Sequence, residues 1–162
     1  QLEWLTGRRA LQIMVESKRR TYEGMVKDEY GKPHLKHRIA EISITHTVQY
    51  VAVTLNPTQA TGIDMERVAD KLRRVAPKFL SEPESRHAGL ALAPLCTYWC
   101  AKEALSKLYG TRQLSFKENI FVEPFDDQAL HLNCYIHFHH SSVRPHRLHR
   151  FWVGDLCGVV DV

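Results

Sequence analysis

The chain of 162 residues is predicted to fold as an α+β protein. Helical spacing opens it, β-branched and alternating segments follow, and helical spacing returns before a strand-rich final third. Helices and strands are therefore grouped along the chain, whereas a parallel sheet requires a regular βαβ alternation. The length suffices for one domain or for two small lobes sharing a core.

Trp4, Leu11, Met14 and Val15 recur at intervals of seven, three and four, which marks one face of a helix over residues 2–18. Gly7 lies on the same stripe and permits close packing. Tyr30-Gly31-Lys32-Pro33 reads as a turn, since glycine supplies conformational freedom and Pro33 limits Lys32 to an extended shape. Ile42 and Ile44 alternate with Ser43 and Thr45, and residues 50–55 are apolar and β-branched, so two strands are expected. Asn56-Pro57-Thr58 separates them from a third extended segment around Asp64, and the three could form an antiparallel meander.

Next, Val68, Leu72, Val75, Ala76 and Phe79 define an amphipathic helix whose other side carries Lys71, Arg73, Arg74 and Lys78. Ser81-Glu82-Pro83-Glu84 breaks that pattern. Pro94 suits the first turn of the following helix, and Gly110 suits its end. Strands are expected over 119–122, 130–139 and 151–160.

Bulk composition excludes several classes. Hydrophobic residues at 44% and charged residues at 25% are ordinary for a globular domain. No apolar run approaches the roughly 20 residues of a membrane helix. No secretory leader pattern opens the chain. A cytoplasmic protein without membrane contact is the expectation. The net charge of +4 favours anionic partners. With no Lys/Arg block and no basic–aromatic repeat, nucleic acid is not among the expected partners. Cys96 and Cys100 share a helix face, Cys134 and Cys157 lie in later strands, and no zinc-finger spacing occurs, so four reduced packing thiols are expected. The late histidines, including His131, His137, His139, His140, His146 and His149, lack an acidic or thiol partner at a defined spacing and read as solvated edge residues.

Two stretches carry the chemistry. In Gly62-Ile63-Asp64-Met65-Glu66 the acids stand two apart, so both leave one face of a strand, opposite Ile63 and Met65. In Trp99-Cys100-Ala101-Lys102-Glu103-Ala104-Leu105-Ser106-Lys107, Glu103 and Lys107 stand four apart on one helix face. Alone, the first is a solvated strand end and the second a surface ion pair worth a few tenths of a kcal/mol. Together they offer three carboxylates to a hard, oxygen-seeking cation. Mg²⁺ leads and Mn²⁺ is an alternative, because both accept carboxylate oxygens and complete their shells from water and phosphate.

The paired motifs resemble those of the 4′-phosphopantetheinyl transferases of the surfactin-synthetase-activating type. Tyr30-Gly31-Lys32-Pro33 and Ile42-Ser43-Ile44-Thr45-His46-Thr47 add to the likeness, with threonines where serines are usual around the histidine. The resemblance runs from about the first helix to roughly residue 125. It implies a two-lobed pseudo-symmetric fold in which each lobe packs a small, mainly antiparallel sheet against helices. Residues 1–58 would form the N-terminal lobe, lacking its first strands, and 59–162 the C-terminal lobe with the metal and catalytic motifs. It also implies transfer of the phosphopantetheine arm of coenzyme A to a serine of an acyl, peptidyl or aryl carrier protein, with release of 3′,5′-ADP. Asp64, Glu66 and Glu103 would hold Mg²⁺, and Glu103 would take the serine proton. Lys107 would neutralise the pyrophosphate, with Asp64 beside it. Lys27, Lys32, Thr45 and His46 would hold the 3′-phosphate and adenosine end. A monomer is expected. The alternative is a catalytically silent coenzyme A or nucleotide-binding module on the same fold. The basic helix over 68–78 is either a solvated array or a face that steers an acidic carrier.

Overall fold

The computed structural model describes residues 2–110, 114–138 and 143–161. The N-terminal part starts with α1 (Leu2–Ser17). A hairpin of β1 (Met25–Lys27) and β2 (Pro33–Leu35) follows, too short to read from periodicity. Its turn contains Gly31 at φ +85°, a backbone shape that a side chain would strain. A second antiparallel hairpin joins β3 (Glu41–His46) to β4 (Val51–Asn56), with Ile42 opposite Leu55 and Ile44 opposite Val53. Gly7, Leu11 and Val15 are the buried residues of α1. A Cβ at Gly7 would lie 3.3 Å from Ile44, which is why the helix can lie flat on the hairpin. Leu11, Val15, Leu35, Ala40 and Ile42 form the buried cluster here, while Trp4 is exposed.

The expected meander stops at β4. Strand β5 (Ile63–Arg67) opens instead a second half containing α2 (Lys71–Phe79), α3 (Glu82–Ala88), α4 (Leu92–Tyr109), β6 (Ile120–Val122), β7 (His131–His137), β8 (Val143–Val153) and β9 (Leu156–Asp161). The strands form one antiparallel sheet in the order β5-β9-β8-β7-β6. Strand character was legible at Asp64, but its partner lies some ninety residues away, where local pattern gives no guide. The inner edge of β5 still meets β3, through side chains in place of a ladder. Ile63 N donates to Ser43 Oγ at 3.2 Å, and Met65 N donates to Thr45 Oγ1 at 3.2 Å. The edge amides of β5 thus find acceptors without a strand partner on that side.

Two further differences concern boundaries. Ser81–Glu84 does not merely break a helix; it begins α3 with a capping box, in which Ser81 N donates to Glu84 Oε2 at 2.7 Å. The segment 151–160 is not one strand but the end of β8, a turn at Gly154 with φ +59°, and β9. Helix α4 runs through the middle of the larger core, with Tyr98, Cys100, Ala101, Ala104 and Leu105 fully buried. Gly110 closes it at φ +65° in the left-handed region, as its position past Tyr109 suggests. Helices packed on antiparallel sheets confirm the α+β class. Among the described residues, no helix is long and apolar enough to cross a membrane.

Candidate active site

The strand and helix that carry the acidic motifs touch. A Cβ at Gly62 would fall 2.0 Å from the Ala104 carbonyl oxygen, so only glycine lets β5 cross α4 this closely. That crossing brings Asp64 to Lys107. Asp64 is buried; its Oδ1 accepts from Lys107 Nζ at 2.7 Å and from Thr45 Oγ1 at 3.0 Å. Lys107 Nζ also donates to the Ile63 carbonyl at 3.2 Å. Glu66, two residues on, pairs with Lys71 Nζ at 3.2 Å and accepts from Arg67 N at 3.0 Å.

Glu103 lies half-buried on the same side. Burial, followed by the charge of Asp64, holds its carboxyl above the usual carboxylate range; Lys107 opposes the rise and Glu66 adds to it. The three acids therefore share one electrostatic neighbourhood. Their oxygens are not drawn within 4.8 Å of one another as a trio; two of them are held by ammonium groups on their own flanks. Glu103 and Lys107 do not form the surface ion pair that their spacing allows, because Lys107 reaches Asp64 instead.

Lys102, adjacent in sequence, points the other way. Its side chain is 0% exposed and pairs at 2.7 Å with Glu84, 3% exposed. Its remaining protons go to the Phe116 and Ile120 carbonyls, both at 2.7 Å. Glu84 Oε1 accepts from Val122 N at 2.9 Å, so this pair ties α3, α4 and β6 together. Sequence reading set Lys102 beside the active acids without a role of its own. The capping box at Ser81 was the available signal that Glu84 points inward. Trp99 packs by its ring against Phe79 at 5.1 Å and Phe116 at 5.8 Å, as a core residue.

A cavity of about 480 Å³ opens where the two halves meet, bounded by α1, the β1–β2 hairpin, β3 and the last turns of α4. Lys27, Lys32, His46 and Lys107, four of the residues expected to bind coenzyme A, line it. Thr45 is buried and is not among the lining residues; its hydroxyl holds Asp64. Asp64 likewise faces Lys107 and is not among them. Lys32 Nζ donates to the Leu108 carbonyl at 2.6 Å, binding the hairpin to the end of α4. Burial draws its ammonium below the ordinary lysine value, with Glu41 and Asp28 opposing. Asp28 organises the turn: its Oδ1 accepts from the Tyr30 and Lys32 amides at 2.9 Å, and its Oδ2 meets His34 Nε2 at 2.9 Å. An Asp at the head of a glycine turn is a readable signal that the sequence reading did not use. His46 is exposed and lies 3.4 Å from Glu3 of α1.

The late histidines divide. His131 and His149 meet edge-on across strands at 5.3 Å, and His137 packs on Phe121 at 4.9 Å. His146 is no solvated edge residue: it bonds to the Tyr109 hydroxyl at 2.8 Å and is largely covered, because the Tyr109 ring at the end of α4 packs edge-on against it. His139 and His140 lie outside the described residues.

The donor set at β5 and α4 consists of hard carboxylate oxygens, two of which already face an ammonium, at 2.7 and 3.2 Å. Such a set fits Mg²⁺ or Mn²⁺. No curated protein matches the chain. The family model of the 4′-phosphopantetheinyl transferase superfamily matches residues 60–156, which include both acidic motifs and strands β5 to β8.

Proposed function

Because the chain belongs to the 4′-phosphopantetheinyl transferase superfamily, we propose that it transfers the phosphopantetheine arm of coenzyme A to a carrier-protein serine. Phosphopantetheinyl transfer is the activity of the family, whose members generally use coenzyme A and a divalent metal. The observation that carries the finer reading is the meeting of Lys107 and Asp64 beside a cavity that Lys27, Lys32 and His46 also line.

In this reading the chain forms two lobes, 1–58 and 59–162, with coenzyme A in the cavity between them. Lys27 and Lys32 hold the 3′-phosphate end by charge and His46 by a ring-nitrogen hydrogen bond, and Thr45 acts through Asp64. Asp64, Glu66 and Glu103 hold Mg²⁺, with Mn²⁺ as a substitute; when bound, the ion neutralises and orients the pyrophosphate. Glu103 receives the proton of the serine hydroxyl. The serine oxygen forms a new bond to the pantetheine-side phosphorus as the bond to 3′,5′-ADP breaks. Lys107 offsets the negative charge that gathers on the departing phosphate. Acyl, peptidyl and aryl carriers all suit this chemistry, since only the carrier's serine enters the reacting centre, and the protein acts as a cytoplasmic monomer.

The test is to mix the protein with apo-carrier, coenzyme A and Mg²⁺ and to weigh the carrier. One phosphopantetheine added per carrier, with 3′,5′-ADP released, is the expected result. In Glu103→Gln the gain should fall by at least about 10²-fold, within the range for a positioned general base. Full activity in that variant, with its fold intact, would overturn the assignment of the base. No mass gain in the wild type with any carrier class would favour a silent coenzyme A-binding module.

A further inference from the structure

Three of the four cysteines come together although they are far apart in sequence. Cys96 and Cys100 stand one turn apart on α4, and Cys157 faces them from β9; their sulfurs all lie within 4.8 Å of one another. All three are fully buried and free of disulfides, whereas Cys134 stands outside the group. Packing alone needs small apolar groups here and does not require three ligand atoms to converge.

The surroundings are not those of plain packing. Arg150 is buried beside the group, 3% exposed. Its Nη1 donates to Thr97 Oγ1 at 3.3 Å, and Thr97 Oγ1 lies 3.6 Å from Cys157 Sγ. Its Nη2 reaches the Asp126 and Asp127 carbonyls at 3.1 and 2.6 Å. Among the described residues no carboxylate pairs with this guanidinium, and its Nε has no hydrogen-bond partner. A buried positive charge without an anion is costly, and it calls for a negative group nearby.

We propose that Cys96, Cys100 and Cys157 form a three-thiolate site for a thiophilic divalent cation of the zinc–cadmium class, with Arg150 as its buried counter-charge. Three thiolates around a divalent ion carry one net negative charge, which one guanidinium balances. A metal–sulfur bond near 2.3 Å sets sulfurs about 3.8 Å apart in a tetrahedral site, so the group needs to contract by no more than about 1 Å. Binding releases three thiol protons to solvent and involves no redox change. The site is chemically distinct from the hard carboxylate set, because sulfur selects soft cations and oxygen selects Mg²⁺. It is also physically adjacent: Cys96 Sγ donates to the Glu66 carbonyl at 3.5 Å.

The test titrates Cd²⁺ into reduced full-length protein held in excess Mg²⁺, against a competing chelator. One equivalent should bind with a sulfur-to-cadmium charge-transfer band, and X-ray absorption should count three sulfur neighbours. Cys157→Ser should lower Cd²⁺ affinity by about 10–100-fold, whereas Cys134→Ser should leave it unchanged. Absence of the band in the wild type, or fewer than three sulfurs, overturns the site. So does an equal loss in Cys134→Ser, or full affinity in Cys157→Ser. Should Cys157→Ser fail to fold, the sulfur count of the wild-type complex decides alone.

Discussion

Lys102 and Lys107 occupy the same helix five residues apart, about 140° around its axis, and this angle gives them opposite tasks. Lys102 points into the core toward Glu84, and Lys107 points to Asp64 and the cavity. Replacing Lys102 by Met leaves a carboxylate buried with amide donors but no counter-charge. The expected loss is about 3–5 kcal/mol in urea unfolding. A loss within about 0.5 kcal/mol would show that Glu84 finds another partner. Glu103 makes a pH prediction. Its folded carboxyl binds a proton more tightly than in the unfolded chain, for which burial is the first cause and Asp64 the second. Stability must then fall as pH rises from the ordinary carboxylate value through the folded one, and level off above it. Without divalent ions, Glu103→Gln should melt above the wild type at neutral pH, and the gap should close on acidification below the ordinary carboxylate range. A gap that widens in acid would contradict the sign of the shift. The acids themselves were legible because each strand or helix period puts them on a known face. That Lys107 would choose Asp64 over Glu103 was not, since the choice depends on how closely Gly62 lets the strand approach Ala104.

At the level of elements, periodicity gave α1 and α4 nearly to their ends, because an apolar stripe is a local property, whereas α2 begins at Lys71, one turn after the Val68 at which its stripe opens. It gave the β3 and β4 strands for the same reason and missed the β1–β2 hairpin, whose strands have three residues each. It also misjudged the path of β5, whose pairing with β9 depends on a long-range register. Helix α2 leaves Lys71, Arg73, Arg74 and Lys78 exposed, but these charges are not equivalent. Lys71 is engaged with Glu66, and Arg73 with Asp70 and the Leu90 carbonyl. Arg74 and Lys78 have no ion-pair partner among the described residues, so in the proposed reaction they are the charges left to attract an acidic carrier. Reversing both to Glu should raise the KM for carrier several-fold, more so at low salt, and leave coenzyme A affinity unchanged. An unchanged carrier KM at low salt would remove this helix from the docking face.

For the molecule as a whole, two hydrophobic clusters lie on either side of the cavity, one under α1 and one around α4. Among the described residues, the links between them include the Lys32–Leu108 and Thr45–Asp64 bonds, the hydroxyl contacts of β3 to the β5 edge, and the Thr54–Thr61 and Arg67–Gln49 bonds. The α+β class was readable from element order, and the family from two motifs in register. The cavity was not, because it is formed by segments that sequence distance separates and that only the folded chain opposes. The account rests on Asp64, Glu66 and Glu103 serving a single divalent ion. The direct measurement is a Mn²⁺ titration followed by electron paramagnetic resonance, with coenzyme A present, for the wild type and for Asp64→Asn, Glu66→Gln and Glu103→Gln. The account predicts one tight Mn²⁺ in the wild type and an affinity weakened by about tenfold or more in each variant. Wild-type affinity in any two of the three variants, with their folds intact, would contradict it.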